Sequence, residues 1–317
     1  MSQILGSLNE ASFTHAWLTI GSFDGVHLGH QSIVRQLVSR AHTAGSPAVV
    51  LTFHPHPAVV LRGKTGDIYL TLPEERAQIF VSLGVDSVII EPFTLELSAT
   101  SALEFVARLK NRLGLRHLII GHDFTLGRAR EGDFSVLSKL GKGYGFDVEE
   151  VEVVQFEGEV ISSSRIRFML EAGEVSRAAQ WLGRPYRVSG TVVPGDQRGR
   201  TIGIPTANLS VPLGKIRPTS GVYACQAWVD GRAWAAAVNI GVRPTFDGQG
   251  TPLHLEAHLL DFSGDLYGQT ISLDFIERLR AEQRFTNVQA LIAQISMDIN
   301  RTREIILSQQ GARLEKQ

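Results

Sequence analysis

The chain has little of what marks an exported, membrane-bound or nucleic-acid-binding protein. Its single cysteine, Cys225, excludes any intramolecular disulfide. That residue lies in the apolar run Val222-Tyr223-Ala224-Cys225 and reads as a small buried hydrophobe, not a reactive thiol. A reducing compartment fits this cysteine usage. No apolar run approaches 18 residues, and no basic segment followed by an apolar one opens the chain, so neither a membrane span nor a secretory signal is expected. The expected location is the cytoplasm. The formal net charge of -1 shows no basic excess for nucleic acid, and no acidic block forms a tail. Internal repeats and low-complexity segments are also missing. What is present suffices for buried cores: 43% of the 317 residues are hydrophobic and only 20% charged. At roughly 100–200 residues per domain, that length predicts about two domains.

The first half alternates apolar strands with amphipathic helices. Ala16–Ile20, Ala48–Phe53, Val88–Ile90 and Leu118–Ile120 read as strands, the second as one buried on both faces. Residues 31–41 have helical apolar spacing at Ile33, Val34, Leu37, Val38 and Ala41. Thr71 with Glu74, and Ser101 with Glu104, read as capping boxes opening two more helices. Alternation of this kind predicts an α/β domain, a parallel sheet covered on both faces with ligands at the carboxyl ends of its strands.

Near Trp181-Leu182-Gly183-Arg184-Pro185 the pattern changes. Tyr186–Val193, Val222–Val229, Trp234–Ile240, His254–Leu260 and Thr270–Phe275 read as strands, and Asp230-Gly231 as a hairpin turn. A helix returns only from Asn287 to about Leu307. A small antiparallel β-barrel with a C-terminal helix is expected. The division is expected at 1–184 and 185–317.

Two constellations carry chemistry. After the first strand comes Gly21-Ser22-Phe23-Asp24-Gly25-Val26-His27-Leu28-Gly29-His30. Glycines let backbone N–H groups approach a phosphate, and a helix N-terminus adds a positive dipole end. His27 and His30, three apart, share a helix face and can donate to phosphate oxygens. His-x-x-His also admits zinc, but no third or fourth ligand is evident nearby. Phe53-His54-Pro55-His56-Pro57 and Gly121-His122-Asp123-Phe124-Thr125-Leu126-Gly127 follow other strands, and Ile161-Ser162-Ser163-Ser164-Arg165-Ile166-Arg167 opens a helix. Serines there cap the helix, while an arginine can reach for phosphate.

The second constellation opens the barrel, with glycines at 190, 195, 199 and 203 before Pro205-Thr206-Ala207-Asn208. This is no Walker A motif, since Gly-Lys-Ser/Thr is absent from it. Taken alone it is equally a connecting loop. Thr206 and Asn208 alternate, so on a strand they share a side and offer hard oxygens suited to Mg²⁺. Glu256 stands among apolar residues in Leu253-His254-Leu255-Glu256-Ala257-His258-Leu259-Leu260-Asp261-Phe262. It is either a partly solvated edge residue or a working base.

The segment GSFDGVHLGH resembles the HxGH signature of nucleotidyltransferases. With FHPHP, GHDFTLG and ISSSRIR in order, it is similar to the N-terminal half of bacterial bifunctional riboflavin kinase/FMN adenylyltransferases. GxxxxGxxxGRxxGxPTAN, PTSGVY, NIGVRPTF, LEAHLLDF, GDLYG and FIERLRAEQRF resemble the kinase half. The resemblance implies an enzyme that phosphorylates riboflavin to FMN and adenylylates FMN to FAD, using ATP and Mg²⁺. It places Gly21, Phe23, Asp24, His27, His30, Ser163 and Arg167 at the ATP phosphates of the first half. Gly195, Gly199, Gly203, Thr206 and Asn208 take that place in the second, with Thr206 and Asn208 holding metal and Glu256 as base. His56, Asp123, Phe124 and Arg280 would contact flavin, although packing and surface charge account equally for Arg280. His54 stands where an acidic residue is common, and Ser164 where threonine is common. Expected partners are riboflavin, FMN and ATP, with weak self-association allowed for, and neither nucleic acid nor membrane. Rival readings are a nucleotidyltransferase with a passive barrel, a non-enzymatic flavin-binding regulator and a nucleic-acid-binding barrel. The intact Thr206, Asn208 and Glu256 oppose the first two, and the barrel lacks the basic-aromatic pattern of the third.

Overall fold

The computed structural model describes residues 2–195, 203–242 and 253–314. The chain forms two compact units, Met1–Ser163 and Ser164–Gln317.

The first unit is built on a six-stranded parallel sheet: β1 (Gln3–Leu5), β2 (Trp17–Ile20), β3 (Ala48–His54), β4 (Ser87–Pro92), β5 (His117–Gly121) and β6 (Asp147–Val151). Their spatial order is β1-β4-β3-β2-β5-β6. Parallel strands need crossovers, and the crossover helices cover both faces. On one face Val50, Val88 and Ile119 pack against Val34, Leu37 and Ala41 of α1 (Leu28–Thr43). Ala77 and Phe80 of a second helix (Pro73–Ser82) complete that layer. On the other face Leu18, Leu51, Ile89 and Leu118 meet Phe105 and Leu109 of one helix (Ala102–Leu113) and Leu137 of another (Phe134–Tyr144). Ala48, Val49, Val50 and Leu51 are wholly buried because alternate residues feed opposite layers.

Helix ends show which local signals were legible. The Ser101–Glu104 box forms: Ser101 Oγ accepts from the Glu104 N–H at 3.2 Å, and the Glu104 carboxylate accepts from the Ser101 N–H at 2.9 Å. The Thr71–Glu74 box does not. That helix starts at Pro73, and its reciprocal bond runs from the Leu72 N–H to the Glu75 carboxylate at 2.9 Å. Thr71 is taken elsewhere: its Oγ1 accepts from the Gly25 N–H at 2.9 Å.

A short antiparallel pair, β7 (Gln155–Phe156) and β8 (Glu159–Val160), follows the parallel sheet. In the second unit β9 (Tyr186–Val193), β10 (Ala207–Ser210), β11 (Gly221–Val229), β12 (Arg232–Val242), β13 (Leu253–Leu259) and β14 (Thr270–Arg280) close a barrel in the order β10-β13-β12-β11-β14-β9. All its pairings are antiparallel. The Asp230-Gly231 turn takes positive φ at both positions, 46° and 75°, as a two-residue hairpin with matching twist requires. Val238, Ile240, Leu255 and Ala257 fill the interior, and Tyr223 meets Phe275 edge-on with ring centroids 5.2 Å apart. A C-terminal helix (Val288–Leu314) packs Ile305 and Ile306 against Ala224 and Ile276. Cys225 is fully buried, and burial pushes its thiol well above the usual value. The expected fold class is therefore observed: a Rossmann-like parallel-sheet unit and an antiparallel barrel with a terminal helix.

Candidate active sites

The strand order reverses beside β2: β3 and β4 add on one side, β5 and β6 on the other. Ligands of open parallel sheets bind outside the carboxyl ends at such a point. The loops after β2 and β5 flank it, and these are the segments that hold Gly21–His27 and Asp123–Phe124. A cavity of about 830 Å³ in this unit lies at the opposite end, among Trp17, His117 and Asp147 where the strands begin. It is not the nucleotide site the topology implies.

The loop after β2 is held by side chains from several elements. The Ser22 carbonyl accepts from Arg76 Nη1 at 2.8 Å and from Thr52 Oγ1 at 3.1 Å. The buried Asp24 carboxylate accepts from the Leu70 and Thr71 N–H groups, each at 3.0 Å. The Asp24 carbonyl accepts from Ser163 Oγ at 2.8 Å. Burial holds the Arg76 pKa below the ordinary arginine value, against the pull of the Asp24 carboxylate. So anchored, the loop takes left-handed φ at Phe23 (47°), Gly25 (83°) and Val26 (39°). Such conformations at non-glycine residues cost about 1–3 kcal/mol each and persist only where the surroundings impose them.

The loop delivers two imidazoles to the start of α1. His27 caps the helix, its Nδ1 accepting from the His30 N–H at 3.4 Å. With Nδ1 accepting, a neutral His27 carries its proton on Nε2, which is then a donor. The two rings stack with centroids 3.6 Å apart, and His30 stands edge-on to Phe23 at 5.1 Å. Glycine leaves these rings their room: a Cβ on Gly29 would lie 3.2 Å from the His27 ring, and one on Gly21 3.0 Å from the Phe23 ring, closer than ordinary contact.

The remaining sequence-derived residues of this half are more scattered. Phe23 itself is buried in the core, which leaves its backbone for any ligand. His56 caps a short helix (Pro57–Arg62), its Nδ1 accepting from the Ala58 N–H at 3.0 Å. Asp123 is exposed in the turn after β5, while Phe124 packs its ring on the core. Ser163 opens a helix (Ser163–Ala172), and Arg167, four residues on, shares its face. Arg167 belongs to the second compact unit.

On the barrel, strand register assembles the second site. Asn208 of β10 pairs with Glu256 of β13, and Glu256 pairs on its other side with Asn239 of β12. Directly paired residues share a sheet face, so the three side chains form a row. The face is the outer one, since Leu255, Ala257, Val238 and Ile240 fill the interior. Glu256 is half-buried, and its carboxylate makes no hydrogen bond or ion pair among the described residues, nor do the side chains of Thr206, Asn208 and Asn239. Gly195 packs directly on Asn208: a Cβ there would lie 2.1 Å from Asn208 Nδ2. Thr206 immediately precedes β10, and Gly203 begins its approach at φ 79°. Gly199 lies outside the described residues. Arg280 is bound to Asp298 of the C-terminal helix, with Nη2 at 2.8 Å and Nε at 3.0 Å from Asp298 Oδ2, and its guanidinium lies over Phe285.

Sequence reasoning passed over Arg76 and Asn239, and took Thr71 for a helix cap. Nothing local signals the loop-holding bonds of Arg76 and Thr71, since the partners Ser22 and Gly25 lie about fifty residues away. Asn239 could have been noticed as the one amide in the run Trp234–Ile240.

A Gly/His loop at the switch point of a parallel sheet, joined to a barrel with an unpaired carboxylate beside hard oxygen donors, defines a two-unit transferase acting on phosphate compounds. Comparison with known proteins gives the particular kind. The FAD synthetase family model matches residues 9–165, and the riboflavin kinase model residues 182–306. The bifunctional riboflavin kinase/FMN adenylyltransferase of Pseudomonas fluorescens is 41% identical over 288 residues, covering 90% of this chain and 92% of that one. The Escherichia coli (strain K12) protein of the same name is 38% identical over 301 residues, covering 94% and 95%. Among solved structures, a Streptococcus pneumoniae chain described as a macrolide-efflux protein superposes with a TM-score of 0.86 at 30% identity, covering 96% of this chain and 99% of that one. That description concerns the other protein; no helix among the described residues here is long and apolar enough to cross a membrane. The chain belongs to the bifunctional riboflavin kinase/FMN adenylyltransferase family.

Proposed function

We propose that the two family activities divide between the two constellations: adenylylation at the Gly21–His30 loop, phosphorylation on the outer face of the barrel. The chain phosphorylates riboflavin to FMN with ATP, then transfers AMP from a second ATP to FMN, giving FAD and pyrophosphate. We put the boundary between the two activities near residue 185.

In the kinase reaction Glu256 takes the proton of the ribityl 5′-hydroxyl as that oxygen attacks the γ-phosphorus and ADP leaves. The observation that carries this role is the half-buried Glu256 carboxylate, unpaired between two amides. Asn208, Glu256 and Asn239 in one row, with Thr206 just before the strand, are half-buried and have no protein partner among the described residues, which leaves them open to a ligand. Thr206 and Asn208 are suited to Mg²⁺, because they offer neutral hard oxygens, and Gly195 leaves Asn208 its place. No group of three or more His, Cys, Asp or Glu among the described residues makes an alternative cage. When bound, Mg²⁺ supplies neutralisation of phosphate charge.

In the adenylyl transfer an FMN phosphate oxygen attacks the α-phosphorus of ATP and pyrophosphate leaves. No protein nucleophile is needed, so positioning and charge stabilisation carry the rate. His27 and His30 donate to phosphate oxygens, and Ser163, whose hydroxyl is given to the Asp24 carbonyl, holds the loop that carries them. Asp24 holds the loop: its carboxylate is occupied by two backbone N–H groups, and an anion would repel phosphate. His56, Asp123 and Phe124 are assigned to the flavin side; Arg280 acts through its tie to Asp298. A cytoplasmic location fits these soluble substrates.

Glu256→Gln tests the assignment. A positioned base supplies about 10²–10⁴ in rate, so FMN formation should fall by that factor while adenylylation of supplied FMN continues. Equal loss of both activities would sink it.

A further inference from the structure

On β13, Glu256 and His258 both point outward, while Leu255, Ala257 and Leu259 are buried. Glu256 stands opposite Asn208, and Ala257 opposite Ala207. The backbone ladder between β10 and β13 ends there, so the residue across from His258 is Thr206, which lies outside the strand. Ladder bonds no longer fix that segment. A side chain does: His258 Nδ1 lies 2.7 Å from the Pro205 carbonyl oxygen. A carbonyl only accepts, so the imidazole donates from Nδ1. The bond is made to the peptide that joins Pro205 to Thr206.

We propose that His258 is a positioning residue of the kinase site, extending the β10–β13 pairing by one side-chain bond and so setting where Thr206 stands relative to Asn208 and Glu256. The inference rests on the reading of Thr206 and Asn208 as phosphate and metal donors and of Glu256 as base. Fixing that peptide plane fixes the Thr206 Cα, the point from which its hydroxyl reaches the site. Two residues of strand span about 6.7 Å, so His258 acts beside the reacting hydroxyl without touching it. Its contribution belongs to holding ATP, not to proton transfer.

The test uses the full chain with riboflavin, ATP and Mg²⁺. His258→Phe keeps a ring but removes the donor; His258→Gln restores an N–H. Loss of one hydrogen bond of ordinary strength corresponds to about a tenfold effect. In His258→Phe the kinase KM for ATP should rise about tenfold, with the KM for riboflavin and adenylylation of supplied FMN unchanged. His258→Gln should recover most of the loss. The proposal is overturned if His258→Phe leaves the ATP KM unaltered, if kcat alone falls, or if Gln fares no better than Phe. Should the Phe variant fail to fold, His258→Gln with parental ATP KM supports the donor role, and a tenfold rise in it refutes that role. Glu256→Gln run alongside separates the two readings. If it remains an active kinase, the base assignment fails; if it is inactive while His258→Phe behaves as the parent, only the His258 inference fails.

Discussion

Replacing Asp24 with asparagine should weaken the first unit and leave the second as it is. The buried carboxylate accepts the Leu70 N–H on Oδ2 and the Thr71 N–H on Oδ1, both at 3.0 Å. An isosteric amide can keep one of these bonds. Its NH₂ must then face the other N–H, donor against donor. A hydrogen bond to a charged acceptor is worth about 1.5–3 kcal/mol, and a buried donor left without a partner costs about 1–3 kcal/mol. Together these give a loss of about 3–5 kcal/mol, with Arg76 also deprived of the carboxylate that offsets its burial. For a unit of this size each kcal/mol moves Tm by about 2–4 °C, so a fall on the order of 10 °C is expected. The calorimetric transition of the first unit should shift, and FMN adenylylation should weaken because the strained loop loses its anchor. Riboflavin phosphorylation at 25 °C should remain at the parental level. If Asp24→Asn melts within about 2 °C of the parent and still makes FAD normally, the anchoring argument is wrong.

Two further outcomes follow from the second unit. Gly195→Ala places a Cβ 2.1 Å from Asn208 Nδ2, so the amide must leave its rotamer at about 0.5–1.5 kcal/mol; kinase kcat/KM should fall up to about tenfold with adenylylation intact, and an unaltered kinase would remove Asn208 from the site. Tyr223 donates to the Thr219 carbonyl at 2.6 Å, and burial pushes its hydroxyl up to about 12 from an ordinary 10. Between those values the unfolded chain loses this proton while the folded one keeps it, so stability present below pH 10 is lost as pH rises to 12, by at most roughly 2–3 kcal/mol. Urea unfolding at pH 9 and 11 should show a smaller drop in Tyr223→Phe than in the parent; equal drops would refute this.

Legibility in the sequence tracked how local each signal was. Period-2 and period-3.6 patterns disclosed most of both folds, because burying a face demands them. The Ser101–Glu104 box was readable since both halves lie within one turn. Thr71 carried the same letters, yet its hydroxyl is spent on Gly25, and Pro73 starts the helix one residue later than the motif suggests. β6 escaped notice because Asp147-Val148-Glu149-Glu150-Val151 is a polar edge strand with little apolar signal. Glu256 was visible as a lone carboxylate among apolar residues, but which amides flank it depends on barrel register. No local pattern encodes that pairing.

The two sites invert the usual relation between polar groups and stability. In the first, Asp24, Thr71, Arg76 and Ser163 spend their hydrogen bonds on the protein, and the result is a strained loop that presents two histidines. In the second, Thr206, Asn208, Asn239 and Glu256 spend none among the described residues, and strand pairing with core packing holds the strands that carry them. Damage at the first site should therefore register as lost stability together with lost activity. At the second, activity should be removable with the fold untouched, because the side chains proposed for the chemistry take no part in the barrel core. A barrel can thus vary its outer row without repacking its core. A loop anchored by buried charge has no such freedom, since each anchor that is removed leaves another polar group unsatisfied.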